Sequence, residues 1–390
     1  MPHVLISGAS VAGPALAYWL GRAGYQATVV ERAPELRDGG QNIDIRGAAR
    51  EVLRRMELED AVRAAGTGEQ GTRIVDDRGR TRASFPASHN DTGGATAELE
   101  ILRGDLSRLL VEKSTTEYVF GTTITGLDQD ADGVTVSFDQ GPDRRFDLVV
   151  LAEGMRSRTR ALVFGEEPRI RFLGMYTSYF TIPRRAGDSD WWEWFNAPGG
   201  RNVGLRPDNH GTIRATLSFL SEPRGFEDRT PEEQKQLLRR VFRDAGGPAP
   251  RVLEALGDAE VYFENLGQVR APRWHDGRVV LLGDAAHCAS PLSGMGTSLA
   301  LVGAYVLAGE LSRGDGAAER YEQLMRPYVD QAQKLIPGGP RLANPKTRLG
   351  IKVLQTAMGV AARPALSRLG GKLFSPPADR IDLPDYFAGA

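Results

Sequence analysis

The sequence predicts an α/β protein: a Rossmann-like domain with a parallel sheet, an inserted antiparallel sheet and a C-terminal helix. The first thirty residues have the pattern strand, tight turn, helix, strand. Two largely apolar runs, Asp147–Ala152 and Arg278–Leu282, are typical of strands buried on both faces of a parallel sheet. Residues 170–267 contain short strand-like runs separated by Gly- and Pro-containing turns, which favours an antiparallel sheet inserted into the first domain.

Composition and charge exclude several classes of function. The chain has 390 residues, of which 49 are Lys or Arg and 50 are Asp or Glu, giving a formal charge of -1. A nucleic-acid-binding protein needs a basic surplus or patch, so we expect no nucleic-acid partner. The 41% hydrophobic content is ordinary for a globular protein, and this length favours two lobes over one core. No run approaches the ~20 apolar residues that span a bilayer, so we expect no stable membrane insertion.

Cysteine usage narrows the cellular setting. The single cysteine, Cys288, excludes an internal disulfide and a cysteine-based zinc site. We therefore expect a reducing, cytoplasmic location, and the segment after Met1 lacks the cationic start of a signal peptide. We expect no metal, since no cluster of side chains has the spacing of a metal site. The sequence leaves the oligomeric state open between monomer and homodimer.

The first glycine-rich segment lies between the first strand and the first helix. Residues 8–13 read GASVAG, a dinucleotide-binding turn with Ser10 in place of the middle glycine. Gly8 permits the tight turn, and Gly13 permits close packing of the helix on the sheet. The backbone N–H groups of the turn, which includes Val11 and Ala12, lie at the positive end of the helix and are expected to hold a pyrophosphate.

An acidic residue ends the second strand of this unit. Glu31 closes the strand Ala27–Glu31, at the position where a carboxylate accepts hydrogen bonds from the ribose hydroxyls of an adenosine. A carboxylate there favours FAD or NAD over NADP. Arg32 follows directly and is included among the candidate cofactor-binding residues.

The same turn also resembles the nucleophile elbow of a hydrolase, in which a serine lies between a strand and a helix. That elbow needs earlier strands to supply the sheet and the oxyanion donors, and only seven residues precede Gly8. The order of the elements therefore excludes the hydrolase interpretation.

A second motif follows the buried strand Arg278–Leu282. Residues 282–287 read LGDAAH, and we expect Asp284 at the carboxyl edge of the sheet, facing the same crevice as Gly8. A carboxylate there suits the hydroxyl groups of a polyol chain. A turn with exposed N–H groups follows, which is expected to stabilise negative charge on a ligand ring. Its candidate residues are Pro291, Gly294, Gly296 and Thr297.

These motifs, in this order, resemble the single-component FAD-dependent monooxygenases, the para-hydroxybenzoate hydroxylase-like family with its tetracycline-inactivating and polyketide-tailoring branches. A third match is residues 151–157, LAEGMRS, where the family has Ala-Asp-Gly before Ser and Arg. The resemblance implies that Glu153 lies near the pyrophosphate and Arg103 near the phosphates or ribityl chain of the flavin. It also implies that Arg46, the one candidate for a catalytic role, lies near the isoalloxazine or the incoming nicotinamide.

The sequence departs from the family pattern at four positions. Ser10 replaces the middle glycine, and Glu153 replaces the usual aspartate with a side chain one methylene longer. Ser298 and Gly303 stand where asparagine and aspartate are frequent. The contacts of Glu153 near the pyrophosphate must therefore shift from those of the family.

The resemblance implies a reaction as well as a fold. Transiently bound NADPH or NADH reduces the bound FAD, O2 adds to form a flavin C4a-hydroperoxide, and one oxygen atom hydroxylates or otherwise oxygenates an aromatic or polyketide-like molecule. Such reactions belong to secondary metabolism, in antibiotic tailoring or resistance. Two alternatives stay open: a flavoprotein reductase or dehydrogenase on the same scaffold, and a flavin protein that sequesters a ligand without oxygenating it.

Candidate substrate contacts lie on the inserted sheet, where aromatic residues are dense. The sequence leaves open whether these residues line a pocket or form a core. They are Trp192, Trp194, Phe195, Met175 and Phe219. His287 and Cys288 are interpreted as structural, because no partner for an acid–base or thiol role is evident.

The predicted domain division is discontinuous. It assigns residues 1–75, 98–169 and 268–340 to the FAD-binding domain, 76–97 and 170–267 to the substrate domain, and 341–390 to a C-terminal helical segment. A basic helix is expected over Lys346–Phe374, and the stretch Arg78–Gly94 is expected to be irregular.

Overall fold

A computed structural model describes residues 1–37, 39–87, 97–363 and 381–387. The strands are β1 (His3–Ser7), β2 (Gln26–Glu31), β3 (Asn42–Ile45), β4 (Gly71–Val75), β5 (Thr81–Pro86), β6 (Leu99–Leu102), β7 (Glu117–Phe120), β8 (Ile124–Gln129), β9 (Val134–Phe138), β10 (Arg144–Phe146), β11 (Leu148–Leu151), β12 (Arg169–Pro183), β13 (Trp192–Ala197), β14 (Arg201–Pro207), β15 (Thr212–Leu220), β16 (Tyr262–Arg270), β17 (His275–Asp276) and β18 (Val279–Leu281). The helices are α1 (Ala12–Arg22), α2 (Ala48–Arg55), α3 (Glu59–Ala64), α4 (Arg103–Lys113), α5 (Thr159–Phe164), α6 (Pro231–Phe242), α7 (Ala249–Ala255), α8 (Asp284–His287), α9 (Gly296–Leu311), α10 (Ala317–Ala332), α11 (Gly339–Ala343) and α12 (Arg348–Ala361).

A six-stranded sheet carries the first domain, in the order β17-β18-β11-β1-β2-β7. Its strands pair in parallel, except for the short edge pair of β17 with β18. Ser7, Leu151 and Leu281 align in register at the last residues of β1, β11 and β18. The turns that follow these three strands therefore meet at one edge, as the two buried apolar runs predicted. Small additional sheets are formed by β8, β9 and β10 and by β3 with β6.

A seven-stranded sheet forms the second lobe, in the order β16-β12-β15-β14-β13-β4-β5. Neighbouring strands are antiparallel, except that β13 and β4 run in parallel. One face packs against α6 and α7 in a second hydrophobic core, which is separate from the core around the parallel sheet. The other face points toward the first domain. The predicted antiparallel insertion is thus confirmed.

The prediction that Arg78–Gly94 is irregular is wrong for Thr81–Pro86, which forms the edge strand β5. A half-exposed edge strand needs no apolar alternation, so residues 81–86 carry no strand pattern that could be detected. Residues 88–94 lie outside the described residues. The strand that pairs with β5, β4, also belongs to the seven-stranded sheet, although the predicted boundary placed Gly71–Val75 in the first domain.

The C-terminal part packs against both lobes. α12 coincides with the first half of the helix expected over Lys346–Phe374, and residues 364–374 lie outside the described residues. Farther along, the Phe387 ring stacks on Trp19 at 4.9 Å, and the Tyr386 hydroxyl donates to Glu310 at 2.6 Å. Of the helices in the described parts of the chain, none combines the length and apolar composition that crossing a bilayer requires.

Candidate functional site

A large cavity, with a volume of about 2090 Å³, lies between the carboxyl edge of the parallel sheet and the free face of the seven-stranded sheet. The turns after β1, β11 and β18 line one side, together with the N-termini of α1 and α9. Side chains of β12–β16 line the other side. The two glycine-rich motifs, although almost 280 residues apart in sequence, therefore open into the same space.

The turn at residues 8–13 has the tight geometry that its glycines predict. Gly8 has φ +112°, and a Cβ there would lie 2.5 Å from the Ala152 carbonyl oxygen. A Cβ on Gly13 would lie 1.9 Å from the Gly8 carbonyl oxygen. Gly8 lines the cavity together with Ser10, Val11 and Ala12, whereas Gly13 is buried behind the turn and holds the helix against it.

Two acidic side chains, Glu31 and Glu153, form hydrogen bonds at this edge of the parallel sheet. Glu31 accepts the backbone N–H of Ala9 at 2.9 Å and that of Ala33 at 3.0 Å, and it lines the cavity beside Arg32. Carboxylate oxygens can accept more than one hydrogen bond, so this contact leaves capacity for a ligand hydroxyl.

Glu153, which stands where the family pattern has aspartate, joins three hydroxyl groups. Its carboxylate accepts the Ser7 hydroxyl at 2.6 Å, the Ser157 hydroxyl at 2.7 Å and the Thr159 hydroxyl at 2.6 Å. The longer side chain thus connects the end of β1 to the start of α5 while its residue still lines the cavity. This network connects elements 146 residues apart, and sequence spacing did not reveal it.

The second motif contributes Asp284 and an uncapped helix end. Asp284 begins α8 and lines the cavity. Pro291, Gly294, Gly296 and Thr297 line the wall beside it. No described side chain caps the first turn of α9 or of α1, so the N–H groups of both helices are available to an anionic ligand.

The two arginines that the family resemblance places near the flavin, Arg46 and Arg103, have different surroundings. Arg46 is 1% exposed and bonds to Asp44 at 3.0 Å, although part of it reaches the cavity. Arg103 begins α4, and its guanidinium lies 5.7 Å from the centre of the Tyr262 ring. Arg103 thus lies where the cofactor side and the seven-stranded sheet meet.

The predicted substrate residues divide between the two faces of the seven-stranded sheet. Trp192, Trp194 and Met175 line the cavity. Phe195 and Phe219 do not line it; they are 3% and 5% exposed and belong to the core under α6 and α7. Successive side chains in a strand point to opposite faces, so adjacent residues such as Trp194 and Phe195 could not share one wall.

A row of polar side chains, which the sequence analysis missed, crosses the cavity face of this sheet. Strand register aligns Glu264 on β16 with Thr177 on β12, and Thr177 with Ser218 on β15. It continues to Asn202 on β14 and Asn196 on β13. We call these five residues the polar row. Each comes from a different strand, so only the register brings them together.

Buried polar atoms along the cavity wall lack partners within the protein. Asn42 Oδ1, Trp192 Nε1 and Asn196 Oδ1 have no hydrogen-bond partner among the described residues. Buried polar groups are normally hydrogen-bonded, so a bound molecule is the expected partner.

Arg206, another missed residue, is anchored under the tryptophans. Its Nε donates to Glu69 at 2.7 Å, a second nitrogen bonds to Glu100, and the guanidinium stacks 4.4 Å from the Trp192 ring centre. Burial raises the pKa of the Glu100 carboxyl to about 8, against the opposing effect of Arg206. The buried carboxyls hold the guanidinium rigidly at the cavity wall.

The two residues interpreted as structural remain without a catalytic arrangement. His287 is 1% exposed and packs against Trp274 at 4.7 Å, and burial lowers the pKa of its imidazole to about 3. Burial raises the pKa of the Cys288 thiol, so neither group is charged near neutral pH.

Comparison with known proteins agrees with this geometry. Residues 1–334 match the model of the FAD binding domain family. The chain belongs to that family. The flavin-dependent monooxygenase eupH of a Phoma species is 35% identical, with 98% of this chain and 97% of the relative covered. A flavin-dependent monooxygenase of Legionella longbeachae is 38% identical over 85% and 87% of the two chains.

A solved structure gives the same result for the fold. The tetracycline destructase Tet(51) superposes with a TM-score of 0.82 and 31% identity, covering 99% of both chains. The protein is therefore a flavin-dependent monooxygenase with FAD as its cofactor. The site fits FAD: the turn after β1 has the positive φ and close packing that only glycine permits at Gly8, two uncapped helix ends face the cavity, and Asp284 offers a carboxylate to a polyol chain.

Proposed function

We propose that this monooxygenase uses NAD(P)H and O2 to oxygenate an aromatic or polyketide-like small molecule. The observation that carries the proposal is the continuity of the cavity, in which the glycine turns and the free face of the seven-stranded sheet enclose one space. The names of the relatives, which include a tetracycline destructase, support the same substrate class.

The residues of the cofactor side bind and orient FAD. Backbone N–H groups of Ser10, Val11 and Ala12 hold the pyrophosphate, with Gly13 packing the helix close behind them. Asp284 accepts hydroxyls of the ribityl chain, and the N-terminus of α9 stabilises negative charge on the ring. The remaining contacts come from Glu31 and Arg32 toward the adenosine, Arg103 toward the phosphates, Arg46 toward the ring, and the turn of Pro291, Gly294, Gly296 and Thr297. Glu153 acts indirectly, because its three hydroxyl contacts hold the ends of β1 and α5 beside the pyrophosphate.

The chain's own contribution to the chemistry is binding, orientation and exclusion of water. When bound, FAD supplies the redox chemistry, taking a hydride from NAD(P)H and activating O2. Trp192 and Trp194 offer flat apolar surfaces to a ring system, beside Met175. The polar row and Arg206 offer hydrogen bonds to the oxygens of a polyoxygenated molecule, which fixes the position that faces the flavin.

Turnover with labelled O2 tests the proposal. Purified protein loaded with FAD is incubated with NADH or NADPH and a panel of aromatic and polyketide substrates, and the products are weighed by mass spectrometry. Substrate-stimulated NAD(P)H oxidation with one labelled oxygen atom in the product is the expected result. Turnover without incorporation identifies a reductase or dehydrogenase, and binding without flavin reoxidation identifies a sequestering protein.

The finer organisation belongs to the same proposal. We assign β4 and β5 to the substrate domain, which moves its first boundary from residue 76 to before Gly71 and otherwise keeps the predicted division. A cytoplasmic enzyme, monomeric or homodimeric, is expected. Size-exclusion chromatography with light scattering measures the oligomeric state.

A further inference from the structure

A cluster of four side chains lies where the two sides of the cavity meet. Tyr262 and Glu264, on β16, line the cavity beside Arg103 and Asp284. The Tyr262 hydroxyl donates to Glu264 Oε2 at 3.1 Å, and the same ring lies beneath the Arg103 guanidinium. Glu264 is thus held beside two groups that the proposed cofactor site uses.

Burial has the largest effect on the Glu264 carboxyl, and Arg103 is the charged group that opposes it most. Burial raises the pKa of the Glu264 carboxyl to about 7, while Arg103 and the Tyr262 hydroxyl favour its anion and limit the rise. Arg156 also favours the anion, but it is engaged by Glu227 at 3.0 Å and Asp228 at 3.3 Å. The titratable or charged groups that face Glu264 are Tyr262 on its own strand, Tyr179 on β12, Arg103 on α4, Arg156 after β11, and Asp284 and Cys288 at the two ends of α8.

We propose that Glu264, in the wall of the flavin site, takes up a proton from solvent when FAD binds and the Arg103 side chain turns to the cofactor. The inference rests on the proposed function, which assigns Arg103 to the phosphates or ribityl chain. FAD brings a doubly charged pyrophosphate and competes for the cation that favours the Glu264 anion. The added negative charge and the loss of the favourable interaction with Arg103 both stabilise the neutral carboxylic acid form of Glu264.

The loaded site then contains a neutral acid at the end of the polar row. One oxygen of Glu264 accepts from Tyr262, and the other, carrying the proton, is a donor toward the cavity. Thr177, its neighbour in register, continues the row toward the middle of the sheet. A substrate oxygen bound at this end of the polar row would accept a hydrogen bond from the neutral Glu264 carboxyl. The Glu264 anion would repel the same oxygen.

Calorimetric titration of the flavin-free full chain with FAD tests the coupling. Titrations at one pH in two buffers of different ionisation enthalpy give the number of protons taken up on binding. We expect little uptake near pH 5.5, where Glu264 is already protonated, and uptake that rises toward one proton above about pH 7. The Kd for FAD then increases with pH, by up to tenfold per pH unit where uptake approaches one proton.

Two variants and one control test whether the Glu264 carboxyl is the group that takes up the proton. Glu264→Gln still binds FAD but loses most of the uptake, whereas Glu260→Gln, at an exposed position outside the cavity, behaves as the parent. Tyr262→Phe removes the hydroxyl that favours the anion, so the uptake profile moves to higher pH. Equal uptake in the parent and Glu264→Gln would overturn the inference. Failure of the parent to bind FAD would instead overturn the proposed function.

Discussion

The two sides of the cavity are constructed in different ways. On the cofactor side, short turns present backbone N–H groups, and each turn is specified by glycines within a few residues of one another. On the substrate side, single side chains from five strands are aligned by sheet register, as in the polar row. A binding site made of backbone groups is therefore encoded locally in the sequence, whereas a surface made of side chains is encoded by pairings between distant strands.

If this comparison is right, one Cβ on the cofactor side has the largest effect of all. Gly13→Val places side-chain atoms against the Gly8 carbonyl oxygen, 1.9 Å from a Cβ at that position. We expect a loss of stability on the order of 3 kcal/mol or more and no co-purified flavin. Thermal denaturation and the visible flavin spectrum of the purified protein measure both effects.

Gly21→Ala is the matched control in the same helix. A Cβ at Gly21 meets no other atom within 4 Å, and alanine is the better helix former. We expect unchanged flavin content and a stability gain of about 0.5–1 kcal/mol. Similar losses in both variants would show that α1 is generally intolerant of substitution, and that the turn has no special requirement.

Adjacent residues on β13 sharpen the substrate half of the comparison. Phe195→Ala opens the second core and is expected to cost about 3–5 kcal/mol of stability without changing which substrate is accepted. Trp194→Ala removes a cavity wall, so the KM for an aromatic substrate rises while stability changes less. Urea denaturation and steady-state kinetics of the two variants separate the roles. An exchange of these two phenotypes would mean that the assigned faces of the sheet are reversed.

Asp284 tests a single side chain on the cofactor side. Asp284→Ala removes one charged acceptor and is expected to weaken FAD binding by about 1–3 kcal/mol, about five- to 150-fold, in a folded chain. Flavin fluorescence titration measures the change. Asp258→Ala, at an exposed position outside the cavity, serves as the control. Retention of stoichiometric flavin at parental affinity would show that Asp284 has another role.

The smallest expected effect is the pH dependence contributed by His287. Its folded pKa lies near 3, below the ordinary value of about 6.5, so the unfolded chain binds a proton first as the pH falls. Stability is therefore lost below about pH 6.5, by roughly 1 kcal/mol between pH 7 and pH 5.5. Urea denaturation at the two pH values, compared with His287→Gln, measures this contribution. An equal slope in the variant would assign the acid sensitivity to other groups.

The sequence predicted the parallel sheet, the inserted sheet and the cofactor side well, because these depend on local patterns. The turn at Gly8, the motif at Asp284 and the apolar strands each occupy a short continuous stretch. Trp194 and Phe195 were grouped together because both are aromatic, and only the strand period distinguishes their faces. Glu264 and Arg206 carry no local motif, and their importance comes from Tyr262, Glu69 and Glu100, which the fold brings beside them.

A crystal structure of the chain grown with FAD determines whether the turn at Gly8 and the carboxylate of Asp284 bind the same cofactor. We expect one FAD whose pyrophosphate accepts hydrogen bonds from the N–H groups that follow Gly8 in the turn and whose ribityl chain bonds to Asp284. Flavin bound outside this cavity, or touching one of these motifs while the other faces empty solvent, would contradict it.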